Sequence, residues 1–495
     1  MFCFYGVFAQ TKAVVAGTIK SSENENLFGA AISFTVNNID YYVLTDSIGF
    51  FSKKIPLGKI NVAVKHQDYV EKHFYFDLSK DTLISISLEK ERSVLNEVII
   101  TNTKKAGITN LSGGKLSFSL KELVNVPTVL GTTDIIKILQ LTPGVQNSGD
   151  ANGYLYVRGG DPGHNAILYS GTPVYGMSHL LGIFPFYNTD HIKEVEFDKS
   201  SSNSKYGGRL SSTTQLLPNK ILPSYFSIQG NIGVLASQVT LAAPINSKTG
   251  FYISGRKTYI DEVVGPLIKN GSESNDVNGM NYGFSDGNFT FLSQLSKKNL
   301  LTIDAFVSAD ALQVKDGNLA LKTSLKWSNF IVSPTLGTTF SSKVFMSNAF
   351  YFSQYSNDLR MDQATIQFGV SSYVKDFGFN NSLKYLIKNI PIESGFQYVL
   401  HNLQPQKISI KNLNDSSNAF QDSKINSSEA AVFTTIKPKI TDHFNAELGV
   451  RINYYFSAAK TDSYLHFQPR ILLNYATDHL SFYASYNKQY QYLSM

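Results

Sequence analysis

The chain has 495 residues, of which 42% are hydrophobic and 13% aromatic, and its formal net charge is +6. This length corresponds to about three domains, and no uncharged apolar run reaches the ~18–20 residues that a membrane-spanning helix needs. The 44 basic and 38 acidic side chains are dispersed along the chain. Dispersed charge favours a solvated surface over a nucleic-acid footprint, so we expect no nucleic-acid partner.

Residues 1–10 resemble the end of a secretory signal. The segment reads MFCFYGVFAQ, with Val7 and Ala9 at the −3 and −1 positions of a cleavage site. It has no basic n-region, so we interpret it as a signal-peptide remnant and expect the start to be truncated or misassigned. Cys3 is the single cysteine, which excludes an intramolecular disulfide framework and a thiolate metal cluster.

Residues 11–90 predict a small β-sandwich. Short alternating strands at Val14–Ile19, Phe28–Ile32 and Leu83–Leu88 are separated by Gly or Asp turns about every ten residues. The G-x-I, GA-x-I and TD-x-x-G-x-F patterns resemble the carboxypeptidase-regulatory-like domain, which is not itself catalytic. Asp46 in the third pattern is interpreted as a turn residue.

Residues 91–114 are predicted to be a linker that contains one β-prone segment, LNEVIIT. It can be a plain linker strand or a detachable strand that a partner takes up by β-augmentation, and the residues alone leave both open. The candidate residues of this segment are Leu95, Glu97, Val98, Ile99, Ile100 and Thr101.

Residues 115–220 predict a mixed α/β domain. Asp134 can cap a short helix over Thr133–Leu141, which Pro143-Gly144 ends. Strand-like segments follow at Leu155–Val157, Ala166–Tyr169 and Glu194–Phe197.

The same domain carries a glycine-punctuated cassette. Paired glycines beside arginines indicate tight turns or close backbone approaches, where a Cβ would clash or φ must be positive. The cassette supplies no nucleophile, metal shell or phosphate cradle, so it predicts a packed gate with buried arginines rather than an enzyme site. Its candidate residues are Tyr156, Arg158, Gly159, Gly160, Gly171, Pro173, Tyr206, Gly207, Gly208 and Arg209.

Residues 221–495 are predicted to be membrane-spanning β-strands. Apolar and polar residues alternate strictly over Phe444–Phe456, which is longer than an ordinary soluble strand and suits a tilted transmembrane strand. Leu301–Ser308 and Phe482–Asn487 are similar, whereas Asn270–Asn288 and Asn412–Ser428 predict long loops. A large soluble β-sandwich is the alternative.

The sequence carries no catalytic or metal-binding signature. His164, His179 and His191 are far apart, and we expect turn or surface positions for them, with contact to a ligand as the alternative. Asp276–Gly279 begins like a calcium loop but lacks the position-12 carboxylate. The sequence therefore predicts neither an enzyme nor a cofactor.

Taken in order, the helix, LTPGV at Leu141–Val145, YVRGG, PVY and YGGRLSS resemble the plug of TonB-dependent outer-membrane receptors of Bacteroidetes type. The resemblance implies a mainly β chain with an N-terminal β-sandwich, a mixed α/β plug and a transmembrane antiparallel β-barrel. It places the 95–101 segment where the family has its TonB box. It also implies that Arg158 and Arg209 face carboxylates of the barrel wall, with an ordinary internal ion pair as the alternative.

The chain departs from the family in two ways. Ser170 stands where the family usually has Asp before Gly171. The barrel region provides about eleven or twelve strands, roughly half of the about 22 of a plugged barrel, so we expect a C-terminally truncated receptor with a partial barrel.

The resemblance implies energy-coupled uptake of a siderophore, cobalamin, oligosaccharide or peptide at the outer membrane, with the N-terminal domain in the periplasm. The implied partners are a TonB-type complex, outer-membrane lipid, the nutrient and a surface lipoprotein. The alternatives are a signalling receptor and a surface-exposed β-protein without transport.

Overall fold

The computed structural model describes residues 12–89, 108–120 and 133–493, apart from gaps at 23, 37–38, 47, 67–68, 70, 112–113, 148, 150–152, 177, 201, 264–278, 317–319, 389, 413–417, 442, 459–461 and 478–479. The signal-like residues 1–10, the TonB-box-like segment at 95–101 and most of Asp276–Gly279 lie outside the described residues.

The N-terminal domain is a sandwich of two sheets, with strand orders β4-β1-β7 and β3-β2-β5-β6. Alternate side chains of both sheets point inward and form one buried apolar cluster that includes Val15, Phe34 and Phe51. Asp46 is a turn residue as expected, because its Oδ1 accepts hydrogen bonds from the backbone N–H groups of Ile48 and Phe50 at 3.0 and 2.9 Å. The strands are β1 Lys12–Ser21, β2 Ala31–Val36, β3 Ile39–Leu44, β4 Phe50–Pro56, β5 Gly58–Lys65, β6 Lys72–Leu78 and β7 Thr82–Leu88.

Within the described residues the second unit, called the plug below, has a six-stranded sheet, a separate two-stranded sheet of β10 and β11, and one short α-helix. The strand order of the six-stranded sheet is β13-β12-β15-β14-β9-β8, and β12 pairs with β15 in parallel. The helix α1 covers Ile135–Gln140, and Asp134 caps it by accepting from two backbone N–H groups. The strands are β8 Ile108–Leu111, β9 Lys115–Ser119, β10 Val145–Gln146, β11 Tyr156–Val157, β12 Ala166–Tyr169, β13 Thr172–Pro173, β14 Ile192–Asp198 and β15 Thr213–Pro218. The predicted helix and strands of this region are confirmed.

The third unit, called the wall below, is one antiparallel sheet that follows chain order from β16 to β29, with β25 paired only to β24. Within the described residues the first and last strands do not pair with each other, so the sheet is a partial barrel. Its strands are β16 Ser227–Ile232, β17 Ala236–Asn246, β18 Thr249–Thr258, β19 Met280–Gln294, β20 Asn299–Asp316, β21 Leu321–Ser341, β22 Val344–Gln363, β23 Ile366–Ile387, β24 Ile390–Asn412, β25 Asn418–Asp422, β26 Ile425–Ile436, β27 Phe444–Ser457, β28 Asp462–Ala476 and β29 Ser481–Asn487.

Among its described residues the wall has fourteen strands, whereas the sequence predicted about eleven or twelve. Two segments predicted as loops were wrong in part: Asn270–Asn288 contains the start of β19, and Asn412–Ser428 contains all of β25 and the start of β26. In β19 the polar and glycine residues alternate with buried Tyr282 and Phe284. The exposed positions between them, Asn281, Gly283 and Ser285, are polar or glycine, and this content made the segment look like a loop.

The wall strands turn their apolar side chains outward and their polar side chains inward. In β27, Tyr454 is 45% exposed and Leu448 is 42% exposed, while Asn453 and Arg451 are buried. Strands β22, β23 and β28 carry further exposed aromatic side chains, Phe350, Phe377 and Phe467. A soluble sandwich would bury the apolar face, so this polarity favours the transmembrane interpretation of the alternation.

Among the described residues, no helix is long and apolar enough to cross a membrane.

Candidate functional site: the contact between plug and wall

Both glycine pairs of the cassette have one strained glycine and one crowded glycine. Gly159 and Gly208 have φ of +79° and +76°, a region that side chains rarely adopt. A Cβ on Gly160 would lie 2.9 Å from the Cβ of Ser211, and one on Gly207 would lie 2.8 Å from the guanidinium carbon of a wall residue, Arg451. The two reasons given for paired glycines therefore both apply, each to one member of a pair.

The two cassette arginines do not face wall carboxylates within the part of the chain that the structure describes. Arg158 is exposed and contacts the hydroxyls of Ser200 and Tyr483 at 3.4 and 3.5 Å. Arg209 is half-buried and donates to the backbone carbonyls of Gly208 and Leu493, both at 3.2 Å. The expectation of buried, ion-paired arginines was wrong here, because other plug cations occupy the wall carboxylates.

Those cations are lysines, and a plug histidine contacts further wall carboxylates. Lys115 pairs with the wall residue Glu447 at 2.7 Å, and Lys205 pairs with Glu393 at 3.5 Å. Both carboxylates are largely buried, with side chains 10% and 12% exposed. A buried carboxylate needs a partner, and the lysines satisfy that need from the plug side.

Buried arginines instead come from the wall and reach plug backbone. Arg451 donates to the carbonyl of Lys205 at 2.9 Å and also to Gln397 of β24 at 2.8 Å. Arg256 donates to the carbonyl of Phe186 at 3.1 Å, and Arg470 donates to the carbonyl of Asn203. Sequence reasoning missed these three residues because a backbone acceptor leaves no trace in residue type.

Ser170 has a structural reason to differ from the family's aspartate. Its hydroxyl donates to the buried wall carboxylate of Asp304 and accepts from Lys220 at 2.8 Å. Lys220 also pairs with Asp304 at 3.1 Å. A carboxylate at position 170 would lie beside that of Asp304 and repel it, so the wall provides the charge that the turn lacks.

His179 and His191 are buried between plug and wall rather than exposed in turns as expected. His179 stacks on Phe284 at 4.0 Å, and its two ring nitrogens face Asp310 and Asp286 at 2.8 and 3.4 Å. Asp286 also pairs with Arg256 at 2.7 Å. His179 therefore joins the plug to a charged network of β18, β19 and β20.

His191 meets two wall hydroxyls, Ser254 at 3.1 Å and Thr290 at 3.0 Å. Burial lowers the pKa of His191 to about 4, against the opposing charge of Asp304. It is therefore neutral at pH 7, when one ring nitrogen donates and the other accepts. His164, the third of the predicted histidines, accepts from the backbone N–H of Asp161, a turn position as expected.

A cavity of about 320 Å³ with a mixed polar and apolar lining lies between the cassette and the wall. At one point Tyr175 of the plug donates to Asp376 of β23, which also contacts His401 of β24 at 2.7 Å. Arg209, Gly171 and Gly207 line the plug side. No group of three or more His, Cys, Asp or Glu side chains is arranged to hold a metal ion among the described residues. The cavity thus brings charged side chains of the plug and of the wall together within a mixed polar and apolar lining.

Comparison with known proteins agrees with this architecture. Residues 128–212 match the family TonB-dependent Receptor Plug Domain. Among solved structures, the siderophore receptor PirA from Acinetobacter baumannii is 16% identical in sequence, with a TM-score of 0.56. The match covers 77% of this chain and 62% of the PirA chain. The chain has the fold of a TonB-dependent receptor.

Two further structures widen the comparison of this receptor fold. The alcaligin outer-membrane receptor FauA from Bordetella pertussis is 12% identical with a TM-score of 0.53, over 82% of this chain and 65% of that one. The copper transporter OprC is 10% identical with a TM-score of 0.56, over 75% of this chain and 61% of the OprC chain. The chain thus spans less than two thirds of the length of these structures. No curated protein matches the sequence.

The plug family and the receptor fold are those of receptors and transporters, not of enzymes. Of the predicted site residues, the plug motif lies inside the family match and against the wall. The TonB-box-like residues remain a prediction, since they lie outside the described part of the chain.

Proposed function

We propose that the protein is an outer-membrane receptor that takes up a scarce or bulky nutrient by energy-coupled transport. The observation that carries this proposal is a plug held inside a wall whose outer surface is apolar and whose inner surface is polar. A receptor of this type blocks its own pore, so it needs an external force to move the plug.

The segment at 95–101 is the proposed point where that force is applied. It precedes the plug directly and has the composition of a strand that a partner can pair with. A TonB-type complex in the inner membrane is the proposed partner, and the N-terminal sandwich would lie with it in the periplasm.

Siderophores are the first cargo to test. The names of the similar structures include siderophore receptors and a copper transporter, although their low identity carries no substrate to this chain. Cobalamin, an oligosaccharide or a peptide delivered by a surface lipoprotein are the other candidates.

The test is uptake of a panel of ⁵⁵Fe-labelled ferric siderophores and ⁵⁷Co-cyanocobalamin by cells that produce the protein. We expect uptake of one of them to stop with a protonophore and with deletion of residues 95–101. A scrambled 95–101 segment of equal composition is the control for linker length. Uptake that continues in the deletion variant would refute energy coupling through this segment.

One observation favours signalling as a second candidate. Glu25 of the N-terminal sandwich pairs with Lys193 of the plug at 2.5 Å, so a moving plug would disturb the sandwich. Lys193→Met should abolish a cargo-dependent transcriptional response and leave uptake unchanged if the domain relays occupancy. If Lys193→Met leaves both the transcriptional response and uptake intact, signalling through this contact is refuted.

A further inference from the structure

The plug is attached to the wall by different chemistry on its two sides. Two buried apolar clusters contain plug residues, and their buried wall members are Tyr282, Phe284, Phe306 and Ile331. All four lie on β19, β20 and β21. Phe306 alone contacts three plug rings, Tyr169, Phe186 and Tyr187, at centroid distances of 5.5–6.0 Å. We call β17–β21 the anchor side.

Among the described residues the contacts of β22 to β29 with the plug are mainly hydrogen bonds and ion pairs, apart from the ring of Tyr355, which packs against Gly176, and we call these strands the release side. Ser353 of β22 donates to the carbonyl of Pro173 at 2.7 Å. The carbonyl of Thr434 accepts from Ser204 at 2.8 Å, and Asn487 donates to the carbonyl of Ser200. Neither apolar cluster that holds plug residues contains a described residue from these strands.

These two kinds of contact differ in what water does to them. Exposing the apolar contacts of the anchor side costs about 25 cal/mol per Å² of surface. A hydrogen bond on the release side can be exchanged for one to water at a net cost of only about 1 kcal/mol. The cavity, whose lining includes charged and hydrogen-bonding side chains, places space for water beside those bonds.

The cavity lining is incompletely satisfied. The Oε1 of Gln215 on the plug and the Nε of Arg451 on the wall have no hydrogen-bond partner among the described residues, and both side chains are more than nine-tenths buried. Both residues line the cavity. Such atoms need water or a polar solute, so the release side is already suited to a hydrophilic occupant.

We propose that the plug opens on the release side while it stays attached on the anchor side, and that a hydrophilic cargo passes through the enlarged cavity. This rests on the proposed transport function. At about 320 Å³ the cavity admits water and small solutes, and separation of the release-side contacts makes room for larger ones. Tyr175 and Asp376 would part first, since they cross the cavity.

A matched pair of wall serines tests whether the plug separates from the wall more easily on the release side than on the anchor side. The test needs neither cargo nor the energy-transducing complex. Ser353 on the release side and Ser254 on the anchor side are 1% and 4% exposed, and each hydrogen-bonds to the plug. In a Cys3→Ser background, Ser353→Cys and Ser254→Cys would be treated with a charged methanethiosulfonate in detergent at subdenaturing urea. We expect Ser353→Cys to react at least about tenfold faster.

Equal rates, or faster reaction of Ser254→Cys, would overturn the sidedness. Matching urea midpoints for the two variants, measured by fluorescence, would show that both retain the fold. If one variant fails to fold, Ser382→Cys, whose position is buried and lines the cavity, replaces the release-side member, and Ser308→Cys replaces the anchor-side member.

A second experiment tests the route. Ser347 lines the cavity from β22, and a maleimide adduct on Ser347→Cys should reduce uptake of the ⁵⁵Fe-siderophore or ⁵⁷Co-cyanocobalamin at least tenfold. The Cys3→Ser protein treated in the same way is the control. Full modification with unchanged uptake would overturn the route. If the unmodified protein takes up no probe, the transport function fails, while the thiol rates still decide the sidedness.

Discussion

Acidification should weaken the attachment of the plug through His191. This histidine is neutral when folded because burial lowers its pKa from 6.5 to about 4. Between these two pH values the imidazole of His191 is protonated in the unfolded chain and neutral in the folded protein. The free energy of unfolding therefore rises with pH across this window. The contribution of His191 to it is lost as the pH falls from about 6.5 to 4.

The size of the effect follows from the pKa difference. One pKa unit corresponds to about 1.4 kcal/mol, so the full window is worth about 3 kcal/mol, and about 2.5 kcal/mol is already lost at pH 4.5. His191→Gln is the matched variant, because an amide can still contact the two hydroxyls of Ser254 and Thr290 but has no proton to gain. Its unfolding should lack this component.

The single tryptophan provides the assay. Trp327 packs against the cluster formed by Leu180 and Phe184 of the plug and Tyr282 of the wall, so its fluorescence reports on plug attachment. Urea midpoints would be measured in detergent at pH 7.5 and pH 4.5 for both proteins. Because carboxylates such as Asp190 also titrate, only the difference between wild type and His191→Gln counts. The same pH dependence in both would refute the reasoning.

Three other sets of substitutions test the plug and its contact with the wall. Gly207→Ala sets a methyl group against the adjoining arginine guanidinium and should cost about 1–3 kcal/mol of unfolding free energy, whereas Gly230→Ala on the exposed edge strand β16 should change it by less than about 0.5 kcal/mol. Lys115→Met and Glu447→Gln should each cost about 3 kcal/mol, and their double-mutant cycle in urea should show less loss than the sum; additive losses would exclude direct coupling. Asp134→Ala should cost about 1 kcal/mol through loss of the helix cap, with Asp134→Asn close to wild type in the same urea titration.

The parts of the fold that follow local rules could be predicted from the sequence. The helix at Ile135–Gln140 carries its cap in Asp134, and β27 carries strict alternation over Phe444–Ser457. The start of β19 could not be predicted in the same way. There the exposed positions Asn281, Gly283 and Ser285 are polar or glycine, while Tyr282 and Phe284 are buried, so the segment looked like a loop.

The candidate site shows the same limit at the level of single contacts. The glycine pairs were predicted correctly because a positive φ and a close approach depend on the glycine itself. The ionic partners were assigned to Arg158 and Arg209, whereas the wall carboxylates pair with lysines and a histidine. Which cation reaches which carboxylate depends on the docking of two units, and residue type alone does not fix it.

The wall arginines explain how a plug can be both held and movable. Arg256, Arg451 and Arg470 bind plug carbonyl groups, and a carbonyl can exchange an arginine for water without leaving a buried charge on the plug. Arg451 and Arg470 lie on the release side, whereas the apolar clusters lie on the anchor side. A force applied to the plug therefore meets weaker resistance on the release side. Arg451→Gln should therefore speed thiol modification at position 353 and leave position 254 unchanged. Equal acceleration at both positions would show that the plug moves as one rigid body.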